Sequence, residues 1–122
     1  MAGFLTAQWF DDVDAAGRAA RLATDVELVI QQVIPDGPEG TELRYVIAVA
    51  EGAISVRRGQ AESPDVTFTQ DLATATAIHD GALSAQTAFI EGRLRLGGDL
   101  RAVIERAGAL AAIDDVFAAA RA

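Results

Sequence analysis

Residues 65–99 read DVTFTQDLATATAIHDGALSAQTAFIEGRLRLGGD, and this stretch decides the fold. Its first five residues alternate and are β-branched or aromatic at most positions, which is typical of a strand. Residues 93–96 alternate in the same way. Between the two runs the period becomes helical over residues 71–79, with Asp71 or Thr69 as the predicted cap. Gly81 interrupts this helix, and Ser84 is suited to cap a further short helix. The stretch therefore predicts a strand, two helices and a second strand.

The chain before residue 65 predicts one helix and three more strands. A Glu51-Gly52 pair between two alternating runs indicates a tight hairpin turn, because Gly tolerates the positive φ such turns need. Short turns between successive strands favour an antiparallel meander of four strands that ends with residues 65–69. The predicted elements are a helix over 4–23 and strands over 26–34, 42–50 and 53–58.

The chain after residue 96 is helical in pattern. Asp99 is placed to cap a longer helix whose apolar residues recur at intervals of three and four. A last short helix is predicted over residues 114–121. Strands and helices are largely segregated along the chain, so we expect a single α+β domain over residues 1–122. Its sheet is predicted to have five mostly antiparallel strands, with helices covering one face.

Composition excludes several classes of function. The 122 residues carry 18 acidic and 10 basic side chains, a net charge of -8, which disfavours binding to nucleic acids or anionic membranes. There is no cysteine and a single histidine, so we expect no metal site and no cofactor. No apolar run approaches the length of a membrane span, and the first residues do not form a signal peptide. We therefore expect a cytoplasmic protein without stable membrane insertion.

The order of these motifs resembles the sterol carrier protein type two family. That family has an aspartate-valine-threonine-phenylalanine strand, a glycine-leucine-serine turn, an alanine-phenylalanine helix, a basic and apolar strand, and a glycine-aspartate pair. The matching positions are Asp65, Val66, Phe68, Gly81, Leu83, Ser84, Ala88, Phe89, Gly92, Leu94, Leu96, Gly98 and Asp99. The resemblance implies a sheet whose helices enclose a hydrophobic tunnel for a fatty acid, acyl-CoA, sterol or phospholipid.

Such a tunnel needs apolar side chains beyond those that fill the core. Gln86 lies on the same helix face as Ile90 and is a candidate to hydrogen-bond a ligand hydroxyl or carbonyl. The alternative for each residue is ordinary core packing or, for the amide, a solvated surface. The candidate ligand-binding residues are Phe68, Ile78, Gln86, Phe89, Ile90, Leu94, Leu96, Ile104, Leu110, Ile113 and Phe117.

The sequence therefore predicts non-enzymatic binding and transfer of a fatty acyl or sterol-like molecule, with no catalytic residue. A second interpretation is an interaction or enzyme-accessory module of the same fold, since the family also occurs fused to enzymes such as alkylsulfatases. Such a module would dimerise through the apolar tail around Ile113 and Phe117. A third is a small isomerase or hydrolase that uses His79, although a histidine near a helix end is more often structural.

Overall fold

The computed structural model describes residues 4–19 and 27–105. The predicted order of elements is confirmed over these residues, whereas the last predicted helix, 114–121, lies outside them. α1 begins at Ala7, later than expected. Thr6 sets this boundary, since its Oγ1 atom accepts a hydrogen bond from the Trp9 amide at 3.2 Å. The elements are α1 (Ala7–Ala19), β1 (Leu28–Ile34), β2 (Leu43–Ala50), β3 (Ala53–Arg58), β4 (Val66–Gln70), α2 (Leu72–His79), α3 (Ala85–Ile90), β5 (Leu94–Gly98) and α4 (Leu100–Glu105).

The five strands form one mixed sheet in the order β3-β2-β1-β4-β5. Neighbouring strands are antiparallel except β1 and β4, which run parallel, so the expected α+β fold with a mostly antiparallel sheet is confirmed. The prediction of a four-stranded meander is wrong. Only β1, β2 and β3 form a meander, and β4 joins the far edge of β1.

The burial of β1 explains this position of β4. Six of the seven residues of β1 are buried, which requires a neighbouring strand on each edge as well as cover on each face. β2 occupies one edge, and β3 continues outward from β2. The other edge of β1 is therefore free for β4, which reaches it through residues 59–65 instead of a tight turn.

One face of the sheet, here called the inner face, carries the main hydrophobic core. α1 packs across this face, chiefly against β3. The backbones of α1 and β3 approach closely at Gly17, where a Cβ atom would collide with the carbonyl oxygen of Ile54. Trp9 contacts Phe10 and Tyr45 edge to face, at 4.9 and 6.1 Å between ring centroids. The buried inner-face strand residues of the core are Leu28, Ile30, Ile34, Leu43, Tyr45, Ile47, Val49, Ile54, Val56 and Val66.

The β2–β3 hairpin forms as predicted. Glu51 and Gly52 have φ values of 53° and 76°, so both central residues are in the left-handed region, as a two-residue hairpin turn of this hand requires. Asp71 and Ser84 cap α2 and α3 as expected, accepting hydrogen bonds from the backbone amides of Thr74 and Thr87. These local predictions are confirmed because each depends on only a few consecutive residues.

The opposite face, here called the outer face, is crossed by the connection between β3 and β4. Gln31 lies beneath this connection with its side chain buried. Its Oε1 atom accepts from the Ala61 amide at 2.7 Å, and its Nε2 atom donates to the carbonyl oxygens of Gly59 and Tyr45. One glutamine therefore fixes the path of the chain from β3 to β4.

Candidate ligand-binding site

The two halves of the inner face differ in how completely they are covered. Over β1, β2 and β3 the inner-face apolar side chains are buried, and α1 packs against β3. Over β4 and β5, Phe68 and Leu96 face each other in register and are only half-buried, whereas Leu94 is buried. We call this half, with Phe68, Leu94 and Leu96, the β4–β5 site. It presents apolar surface that the described residues do not fully cover.

Two buried amides border the β4–β5 site. Gln32 pairs with Phe68 across β1 and β4, and Gln70 pairs with Leu94 across β4 and β5, so both side chains share the inner face. They are 7% and 8% exposed. Gln70 Nε2 donates to Gln32 Oε1 at 3.1 Å. Gln70 Oε1 has no hydrogen-bond donor among the described residues.

These amides are not among the site residues predicted from the sequence. A signal was present, because Gln32 falls at the alternate position between Ile30 and Ile34, where a side chain of a half-buried strand faces the core. Gln70 falls two residues after Phe68 for the same reason. A polar residue within an apolar alternation marks a buried polar group, and such a group is informative because burial without a partner is costly.

The structure brings together only some of the predicted site residues. Phe68, Leu94 and Leu96 share the inner face of neighbouring strands, and Ile78 is half-buried on α2. Three predicted site residues on α3 and α4 are exposed: Phe89, Ile90 and Ile104 are 50%, 74% and 77% exposed. Gln86 lies on α3, and its side chain is outside the described part of the structure. Leu110, Ile113 and Phe117 lie outside the described residues, so the enclosed tunnel stays a prediction.

His79 packs among aromatic rings at the end of α2. Its ring stacks on Phe4 with 4.2 Å between centroids and an interplanar angle of 13°, and it meets Trp9 edge to face at 6.2 Å. These contacts place the imidazole against the N-terminal part of α1 and favour a packing role. Among residues 4–19 and 27–105, no group of three or more His, Asp or Glu side chains is arranged to hold a metal ion.

Two titrating groups are perturbed by their surroundings. Burial raises the pKa of the Tyr45 hydroxyl far above its ordinary value. The pKa of Asp71 is lowered, because Thr74 donates hydrogen bonds to the ionised carboxylate from its side chain and its backbone. Both shifts follow from packing and helix capping, and neither supplies a group with a pKa near neutrality for acid-base chemistry.

The outer face carries an open groove of about 520 Å³ beside the β3–β4 connection. Its walls mix apolar strand residues with polar residues of the connection, unlike the apolar β4–β5 site. This groove was not predicted from the sequence, since it arises where the β3–β4 connection crosses the sheet. The lining residues are Val29, Val46, Ala48, Ser55, Arg57, Gln60, Ala61, Glu62 and Ser63.

Comparison with known proteins decides the family. The sequence profile of the SCP-2 sterol transfer family matches residues 8–110. The chain belongs to this family. This match confirms the resemblance to the family that the motifs indicated.

Similar proteins show the extent of the likeness. Bovine sterol carrier protein 2 is 33% identical over 67 residues, which make up 55% of this chain and 12% of the bovine protein. A crystal structure of sterol carrier protein 2 superposes with a TM-score of 0.74 at 21% identity, covering 94% of this chain and 97% of that one. The solution structure of palmitated SCP2L2 from Aedes aegypti gives a TM-score of 0.62 at 23% identity, covering 93% and 95%. These structures show that the chain has the SCP-2 fold.

Proposed function

We propose that this protein binds and transfers an apolar, lipid-like ligand at the β4–β5 site. The observation that carries the proposal is the contrast within one sheet face. The inner-face apolar side chains of β1, β2 and β3 are buried, whereas Phe68 and Leu96 remain half-buried. Membership of the SCP-2 sterol transfer family supports a lipid ligand, and the Aedes relative was studied in palmitated form. We further propose that the protein acts as a carrier without catalysis, in the cytoplasm.

The energetics suit a carrier. Burying about a dozen methylene groups contributes roughly 10 kcal/mol. Association and ordering cost at least about 4 kcal/mol. The net of about 6 kcal/mol corresponds to a dissociation constant of tens of micromolar, weak enough for release. A charged headgroup cannot be buried unpaired, so it would stay at the rim of the site.

Displacement of a fluorescent fatty acid by palmitate tests the proposal. Leu96→Asn places an amide in the β4–β5 site, and we expect it to raise the dissociation constant for palmitate about tenfold. Arg95→Asn is the matched control, because Arg95 is the exposed neighbour that points to the other face. We expect the control to bind within about twofold of the parent protein. Equal weakening in both variants, or no palmitate binding by the parent protein, would contradict the proposal.

A second candidate function is an interaction module, favoured by the exposed apolar side chains of α3 and α4. Ile90 and Ile104 are both more than two-thirds exposed. Exposed large apolar side chains are typical of association surfaces. Sedimentation of the parent protein and of Ile90→Asp distinguishes the two functions. A dimer that the substitution disrupts, without any change in palmitate binding, would support an interaction module.

A further inference from the structure

The buried amide pair beside the β4–β5 site has an unmet hydrogen-bonding requirement. Gln70 is 92% buried, its Nε2 atom is used by Gln32, and its Oε1 atom has no donor among the described residues. A buried acceptor without a partner costs about 1–3 kcal/mol, and native proteins retain few of them. A methionine or leucine at this position would avoid that cost. The retained amide therefore points to a group that binds it.

The location of the pair identifies where that group would lie. Gln70 and Phe68 are alternate residues of β4, so both face inward, and Gln70 is in register with Leu94 on β5. Gln32 is in register with Phe68 and also with Tyr45 of the closed half. The amides thus lie along the boundary between the filled core and the β4–β5 site. The end of a ligand that enters the site would therefore meet the Gln70 amide.

The chemistry of the pair limits what the ligand can present. Gln70 Oε1 requires a donor. Rotating both amide groups by half a turn would make Gln32 the donor and Gln70 the acceptor of their shared hydrogen bond. Gln70 would then present an unused N–H in place of the carbonyl. A hydroxyl group both donates and accepts, so it satisfies either arrangement. A carboxylate cannot donate, and its charge would be buried without a cation.

We propose that Gln70 hydrogen-bonds a hydroxyl group of the ligand, and that the protein selects apolar molecules with a neutral hydroxyl at the end that enters the site. This inference rests on the proposed lipid-binding function and specifies its ligand class. Gln32 acts as a positioning residue, because its Oε1 atom holds the Nε2 side of the Gln70 amide and leaves the other side for the ligand.

Three ligands of equal chain length test this inference: 1-tetradecanol, its methyl ether, and tetradecane. The ether keeps the oxygen acceptor and loses the donor, whereas the hydrocarbon loses both. We expect the parent protein to bind the alcohol about tenfold more tightly than the ether or the hydrocarbon, which is the range for meeting one buried acceptor.

Two variants separate the role of Gln70 from simple packing. Gln70→Leu is similar in size, and the double variant Gln32→Leu/Gln70→Leu also removes the partner that the single change leaves unpaired. We expect the alcohol preference to fall below about twofold in both, with tetradecane bound at least as well as by the parent protein. Gln60→Leu, at an exposed glutamine of the β3–β4 connection, is the control and should keep the preference.

The outcomes are distinct. Equal binding of alcohol and ether by the parent protein would overturn the inference while leaving lipid binding intact. An alcohol preference that persists in both leucine variants would overturn it too, because another group would then provide the hydrogen bond. Failure of all three ligands to bind would refute the proposed function and this inference with it.

Discussion

Val29 and Asp65 are joined by two hydrogen bonds that fasten the start of β4 to β1. The Val29 amide donates to Asp65 Oδ2 at 2.8 Å, and the Asp65 amide donates to the carbonyl oxygen of Val29 at 2.8 Å. The Asp65 carbonyl oxygen also accepts from the Asp99 amide at 3.0 Å. The aspartate of the DVTF motif therefore sets the register of the parallel pair and anchors the end of β5, so its role is structural.

Asp65→Ala should destabilise the fold by about 2 kcal/mol, because the Val29 amide loses a charged acceptor in a partly buried position. Asp65→Asn should lose less, since its Oδ1 atom can still accept. Urea unfolding followed by the emission of Trp9, the single tryptophan, measures both changes. An alanine variant as stable as the asparagine variant would show that the carboxylate oxygen is not what fastens the strand.

Gln31→Leu should cost about 3 kcal/mol, since it leaves the Ala61 amide and two carbonyl oxygens without their buried partner. Gln60→Leu is a suitable control because that glutamine is exposed on the same connection. Thermal unfolding by circular dichroism compares the two. The expectation fails if both variants unfold at the same temperature.

Gly17→Ala should destabilise the protein by about 1–3 kcal/mol, because the added methyl group collides with the backbone of β3 and forces α1 away from the sheet. Gly97→Ala is the matched control, since a Cβ atom at Gly97 meets nothing within 4 Å. Urea midpoints of the two variants are the measurement. A tolerated alanine at position 17 would mean that α1 does not pack as closely as the structure shows.

Tyr45 should make stability fall in alkaline solution. Its pKa is raised in the folded protein, so the stability it contributes is complete below the unfolded value near pH 10 and is lost as the pH rises above it. The loss should be about 1.4 kcal/mol per pH unit and should be absent from Tyr45→Phe. Because the chain has one tyrosine and one tryptophan, phenolate absorbance and Trp9 emission report separate events. Phenolate formation before any change in Trp9 emission would contradict the burial of Tyr45.

The positions of helices and strands could be predicted from the sequence better than the pairing of the strands. The alternation of β2 and β3, the Glu51-Gly52 turn and the caps at Asp71 and Ser84 are local features, and the structure contains all of them. The pairing of β4 with β1 is not local, because it depends on which strand edge is free after the hairpin has formed. The meander was therefore the natural expectation and was wrong.

The site was predicted in part for the same reason. Alternation was sufficient to place Phe68, Leu94 and Leu96 on one face, since β4 and β5 are regular strands. It did not show that Gln32 and Gln70 meet, because their hydrogen bond spans 38 positions of the chain. Alternation also did not predict that Ile90 and Ile104 are exposed, because a helix pattern does not specify what covers its apolar side.

The parallel pairing of β1 with β4 has a consequence for the order in which the molecule assembles. The β2–β3 hairpin closes over two residues, whereas Val29 and Asp65 are 36 positions apart, and longer loops cost more entropy to close. The half of the sheet made of β1, β2 and β3 can therefore form early, and β4 and β5 then pair with its free edge. Because the β4–β5 site belongs to the half that forms later, local opening of that half would uncover the site while β1, β2 and β3 stay paired.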